Sequence, residues 1–139
     1  MASPRYVLEE NVGFILRQVT QRHLSLFSAI MVEDLTPTQF SALFKLYEQG
    51  PCSQNRLGRM TSMDNPTIKG VIDRLTRRGL TSSGPDPADA RLLIVSLTDA
   101  GRAAIERALP RAREITEMTL EPLSSAQRAQ FLSLLEMLK

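Results

Sequence analysis

Residues 60–101 read MTSMDNPTIKGVIDRLTRRGLTSSGPDPADARLLIVSLTDAG. Asp64 is a helix N-cap type, Pro66 sits early where a missing N–H costs little, and Gly79 stands where a left-handed C-cap belongs. Between them Ile68, Val71, Ile72 and Leu75 recur at i, i+3, i+4 and i+7, so one face of this helix is buried. The other face carries Asn65, Thr67, Lys69, Gly70, Asp73, Arg74 and Arg77. Upstream, Ser53 can cap a shorter helix bearing Leu57 and Met60, with Thr61–Met63 as the link; two short helices joined so tightly form a helix-turn-helix. Downstream, the turn-rich Gly84–Ala90 precedes the apolar run Leu92–Leu97, which predicts a β-hairpin, or wing.

The order of these pieces resembles a known family. A helix-turn-helix, then D-P-x-D-x-R from Asp86 to Arg91, then S-L-T-x-x-G from Ser96 to Gly101 is similar to the MarR-family winged-helix transcription regulators. The resemblance covers the whole chain and implies a mainly α fold with a small β-wing. Residues 1–139 would form one domain, with dimerisation helices over 6–35 and 99–139 flanking a winged helix-turn-helix over 36–98. The family often has Arg where Ala90 stands and a basic residue near Ser83, so this wing is less positive than usual, whereas Asp89 and Arg91 match.

A chain of 139 residues is long enough for a real core, and 42% hydrophobic against 23% charged residues describes a folded protein. The formal net charge is only +2, but Ser53 to Arg91 holds seven basic residues against four acidic ones. A locally basic segment on a near-neutral body fits DNA binding, and equally a solvated charged surface; the motif decides between them.

Enzymatic readings fare badly. With one His (His23) and one Cys (Cys52), neither a His-based zinc site nor a conventional triad is easily built. No phosphate-binding glycine loop or nucleophile elbow occurs, so no cofactor or metal is expected. A single cysteine makes no intrachain disulfide. The absence of a signal peptide or long apolar run points to a cytoplasmic protein with no membrane partner.

Along the rest of the chain, residues 1–5 look frayed. A helix is expected from Tyr6 to Met31, with Leu8, Val12, Ile15, Val19, Phe27 and Ile30 on one stripe and Leu16, Leu24 and Leu26 widening it. Thr36-Pro37-Thr38-Gln39 reads as a helix start, and that helix runs to about Gln49, burying Phe40, Leu43, Phe44 and Tyr47 before Gly50-Pro51. Thr98 caps a helix from Asp99 whose apolar side holds Ile105, Ala108, Leu109, Ala112, Ile115 and Thr119. Pro110 lies inside it and either kinks it near Glu106 or breaks it in two. Pro122 ends it, and Ser124 with Gln127 opens a last helix carrying Phe131, Leu134, Leu135 and Leu138.

An α-helix fits the major groove, with its N-terminal residues at the base edges. Asn65 and Thr67 can hydrogen-bond bases, Lys69 can reach a guanine or a phosphate, and Gly70 permits close backbone approach or, alternatively, helix packing. Arg56 and Arg59 read as phosphate anchors. Arg74, Arg77 and Arg78 suit phosphates or internal ion pairs. Arg91, held by Asp89, can enter a minor groove or form a plain surface salt bridge. The resemblance further implies double-stranded DNA and a second copy of the chain as partners, and a small anionic aromatic effector. His23, Arg17 or Arg22 would meet its carboxylate, with Met31, Phe40 and Phe44 as apolar lining, although core packing explains these equally. The expected function is therefore a dimeric, ligand-responsive repressor released from a pseudo-palindromic operator. The alternatives are redox sensing through Cys52, which falls in the loop after Pro51, and a winged-helix interaction module that does not bind DNA.

Overall fold

The computed structural model describes residues 4–139. The frayed start expected for residues 1–5 lies outside the described residues up to residue 3; Pro4 and Arg5 are exposed and without regular structure. Six helices and a small sheet follow in the order α1 (Val12–Ile30), α2 (Pro37–Gln49), β1 (Cys52–Ser53), α3 (Gln54–Met60), α4 (Asn65–Arg77), β2 (Thr81–Pro85), β3 (Leu93–Leu97), α5 (Asp99–Leu120) and α6 (Ser125–Glu136).

The chain divides into two compact units, one of residues 31–111 and one of residues 1–30 with 112–139. In the 31–111 unit, helix ends are set by local chemistry. Thr36 and Gln39 form a reciprocal capping box before α2, with Pro37 at its first turn. Ser53 caps α3 through the Arg56 N–H, and Asp64 caps α4 by accepting from Thr67 at 2.8 Å. Arg78 closes α4, and Gly79 then takes φ +75°, a left-handed conformation open to glycine at no steric cost. The core joins Leu43 and Leu46 of α2, Leu57 of α3, Ile68, Val71, Ile72 and Leu75 of α4, Val95 of β3 and Ile105 and Ala108 of α5. The four periodic apolar residues of α4 are thus buried, as the spacing predicts.

The sheet is antiparallel in the order β1-β3-β2, with Ser83 and Cys52 both opposite Val95. β1 was not expected. Cys52 is therefore not in a loop, as the sequence suggested, but in a strand, buried beneath the wing. Two residues are too short a run to show a period, and their pairing is made with residues some forty positions away.

Helix α5 continues through Pro110, so the reading of two separate helices is excluded. Its first turn is held by Thr98, whose hydroxyl accepts from the Gly101 N–H at 3.0 Å and donates to Gly79 O at 2.6 Å.

In the other unit, α1 starts at Val12 rather than Tyr6. A 3-10 turn at Leu8–Glu10 precedes it, and Asn11 Oδ1 accepts the N–H groups of Gly13 at 3.0 Å and Phe14 at 3.4 Å, which is N-cap geometry. Ser124 and Gln127 form the capping box of α6. The expected apolar stripes are present but not covered. Leu8, Val12, Ile15, Leu16, Val19 and Leu24 are exposed, as are Leu132, Leu134 and Leu138, while Phe27, Ile115 and Leu120 are buried. Leu138 lies beyond the end of α6. No helix among the described residues is long and apolar enough to cross a membrane.

Candidate nucleic-acid interface

Burial of Ile68, Val71, Ile72 and Leu75 fixes the rotation of α4 and turns its polar residues outward. Asn65, Thr67, Lys69, Arg74 and Arg77 are exposed and Gly70 is half-buried, so the structure brings these six together on one helix. Lys69 pairs with Asp73 one turn on at 3.4 Å, both well exposed, an arrangement of little net worth that a phosphate can outcompete. A Cβ at position 70 would meet only the tip of the Arg74 side chain, at 3.6 Å, so Gly70 is no helix-packing site. Its lack of a side chain leaves the outer face of α4 locally flat.

The helix-turn-helix itself rests on a glycine that sequence reasoning passed over. Gly58 in α3 is buried, and a Cβ there would lie 3.0 Å from Met63 O and 3.2 Å from Ile68 Cγ2. The turn also closes through Met63 N–H to Gly58 O at 2.9 Å and the Thr61 hydroxyl to Leu57 O at 2.7 Å. Gly58 therefore leaves room for the turn carbonyl and for the Ile68 side chain of α4. Arg56 and Arg59 are exposed on α3.

At the wing, Arg91 donates from Nε to Asp89 Oδ1 at 3.0 Å and from Nη2 to Asp89 Oδ2 at 3.1 Å. This two-point pair orients a side chain that remains 90% exposed. The guanidinium draws the Asp89 carboxyl below its ordinary value, through its side chain first and the Arg91 backbone N–H second. Asp89 thus orients the Arg91 side chain.

Arg78 turns away from this face. Its guanidinium donates to the carbonyl oxygens of Glu33 and Asp34 and lies 3.5 Å from Gln39 Oε1.

The expected effector residues fall in both units. In the 31–111 unit, Phe40 and Phe44 stack with ring centroids 6.2 Å apart and, with Met31, pack against the core. In the other unit, Arg17 is exposed, while Arg22 donates to Met118 O at 2.8 Å and Thr119 O at 2.7 Å, satisfying carbonyls at the end of α5. His23 Nδ1 lies 2.8 Å from Thr119 Oγ1, which itself donates to Ile115 O at 2.8 Å. With the hydroxyl's one proton given to Ile115 O, His23 Nδ1 is the donor to it and Nε2 takes no part in this chain of bonds. His23 lines a cavity of about 400 Å³ with Leu16, Val19, Thr119, Phe131 and Leu135, all within this unit. No cluster able to hold a metal ion occurs among the described residues.

Cys52 is buried, and burial pushes its thiol pKa up, with the Arg56 charge opposing. Reactive sensing thiols are exposed and acidic; this one is neither.

A family comparison accounts for the whole arrangement. The MarR family model matches residues 35–93. The transcriptional repressor NicR of Pseudomonas putida is 39% identical over 131 residues, spanning 94% of this chain and 83% of NicR. The chain belongs to the MarR family. It is accordingly a DNA-binding transcriptional regulator and not an enzyme. Among solved structures, a probable transcriptional regulator from Pseudomonas aeruginosa is 50% identical, with a TM-score of 0.92 over 96% of this chain and all of the other. BpsR of Bordetella bronchiseptica, whose DNA binding is regulated by 6-hydroxynicotinic acid, is 38% identical with a TM-score of 0.92 over 96% of each chain. The wing, the helix-turn-helix and the long flanking helices are the MarR winged-helix fold.

Proposed function

We propose that this MarR-family protein is a homodimeric repressor that reads a pseudo-palindromic operator with two copies of α4 and releases it on binding a small aromatic or anionic effector. The observation that carries the reading is the division of α4 into a fully buried apolar face and an exposed face of Asn65, Thr67, Lys69, Arg74 and Arg77. Side chains near the N-terminus of such a helix reach base edges, and those further along reach phosphates. Arg56, Arg59 and the Asp89–Arg91 pair extend the same contact surface.

Dimerisation is supported by apolar surface. Leucines, an isoleucine and valines lie exposed along α1 and α6, and a second copy of the chain would cover them by symmetry. The effector reading is supported by BpsR, whose DNA binding is regulated by 6-hydroxynicotinic acid, a hydroxylated pyridine carboxylic acid. His23 is the residue best suited to it. Its Nε2 is the ring nitrogen left to meet a polar group of a ligand. Arg17 supplies an exposed positive charge six residues earlier on α1, whereas Arg22 holds the end of α5.

The test is a thermal-shift screen of aromatic and heteroaromatic acids, since a ligand of the folded state raises its stability by mass action. A hit is then titrated against free and DNA-bound protein. An inducer binds the DNA complex more weakly, and by linkage it weakens DNA by the same factor. Equal affinities contradict the effector reading and leave DNA recognition standing.

A further inference from the structure

The loop before α2 contains two consecutive residues, Glu33 and Asp34, with φ of 65° and 51°, a region that residues with side chains seldom occupy even singly. Two arginines from distant parts of the same unit hold it there. Arg78, the C-cap of α4, reaches the Glu33 and Asp34 carbonyls and the Gln39 side chain. Gln39 Oε1 also accepts the Thr36 N–H, so the same oxygen belongs to the capping box of α2. Arg107 of α5 donates from Nε to Glu33 Oε1 at 2.6 Å and holds that carboxyl below its usual value. One small loop is thereby tied to the far end of the recognition helix, to the start of α2 and to α5.

We propose that Arg78 is a positioning residue for DNA recognition: its three-point grip on Glu33, Asp34 and Gln39 sets the seat of α4, and it touches no phosphate. Three observations favour this over the basic-contact role that its place in the Arg77-Arg78 pair suggests. Both terminal nitrogens of its guanidinium already face carbonyl and amide oxygens. Those acceptors lie on residues separated from it by 39 to 45 positions, so the bonds fix tertiary placement rather than local helix structure. The left-handed turn presents two successive carbonyls to one planar group, a geometry that a guanidinium matches and an ammonium does not.

This inference rests on the DNA-binding reading of α4, and the experiment separates the two. A duplex is first selected from a randomised library with the unaltered protein; failure to select any sequence removes the DNA reading and this inference with it. Arg78→Ala, Arg78→Lys and, for contrast, Arg77→Ala are then measured on the selected and on a random duplex at several salt concentrations, with thermal unfolding alongside. Both Arg78 variants should bind the selected duplex roughly tenfold more weakly, the scale of one disturbed base contact. They should keep their affinity for random duplex and the salt dependence of the unaltered protein. Arg77→Ala should lower the steepness of log affinity against log salt by about 1.8 per dimer, since each lost phosphate contact is worth about 0.9. A matching loss of slope in Arg78→Ala, with Arg78→Lys behaving normally, would show a phosphate contact and overturn the proposal. So would normal specific binding by the folded variants with only the unfolding temperature lowered. If Arg78→Ala does not fold, Arg78→Lys carries the same comparison.

Discussion

The carbonyl oxygen of Leu80 occupies the place of a side chain at Gly101: a Cβ built there lies 1.9 Å from that oxygen and 2.9 Å from its carbon. The same oxygen accepts the Thr98 N–H at 3.2 Å, so the first turn of α5 is pressed against the strand entering the wing. This gives the trailing Leu-Thr-x-x-Gly of the wing motif a physical basis. Gly101→Ala cannot be relieved by a rotamer, because the obstacle is backbone. It should destabilise the protein by at least the ~1–3 kcal/mol typical of overpacking. Urea unfolding is the check; an unchanged midpoint would mean that α5 and Leu80 separate freely.

Asp64, the cap of α4, links stability to pH. Hydrogen bonds from Thr67, its side chain first and its backbone N–H second, hold the carboxyl below its ordinary value of 3.8. A group shifted in that direction contributes stability that is fully present above its unfolded value and is lost as pH falls through the lower folded one. Asp64→Asn keeps a capping oxygen but does not titrate. The stability difference between the two proteins should be largest near neutral pH and shrink below 3.8. A difference constant down to strongly acidic conditions would contradict the role of the charge.

Local chemistry was legible in the sequence. The caps at Thr36, Ser53, Asp64 and Ser124, the left-handed Gly79 and the inward face of α4 each depend on residues within a turn of one another. What was missed depends on distance or on absence. The strand at Cys52 exists only through its pairing with Ile94 and Val95. The tight approach at Gly58 depends on Met63 and Ile68, which no period reveals. The start of α1 was placed too early because Leu8 continues the apolar stripe past Asn11, whose capping type was the better signal. Periodicity also says that a face is apolar without saying what covers it: Val12, Ile15 and Val19 lie on the expected stripe and are exposed within one copy of the chain. Of the interface, the sequence placed the α4 residues on one face, but it left Arg78 among the candidates for phosphate contact or internal pairing. Only the fold brings Glu33 and Asp34 beside it.

Arg91 has almost no surface to lose from the core, so Arg91→Ala should leave thermal unfolding unchanged. Affinity for a selected duplex should fall roughly tenfold, as expected for a charged side chain in a groove. Asp89→Ala should give a smaller loss, because it frees Arg91 without removing it. Normal binding by Arg91→Ala would show that the Asp89–Arg91 pair is only a surface salt bridge.

Leu135 lies part-buried on α6 in the unit whose apolar stripes are uncovered. A glutamate there places a charge where the second copy is proposed to pack. Leu135→Glu should give monomers or aggregates by analytical ultracentrifugation and lose operator binding at the same time. An unaltered protein that sediments as a stable folded monomer at micromolar concentration would contradict the dimer.

The most direct test of the account is the salt dependence of binding to a duplex selected by the protein itself. Arg56, Arg59, Arg74 and Arg77 from each of two subunits offer eight phosphate contacts, for which log affinity against log salt would approach a slope of about −7. A dimer reading DNA through these residues should show a steep negative slope together with clear preference over random duplex. Affinity that stays flat from low to moderate salt, with no such preference, would contradict it and favour an interaction module that has kept the winged-helix shape without its DNA.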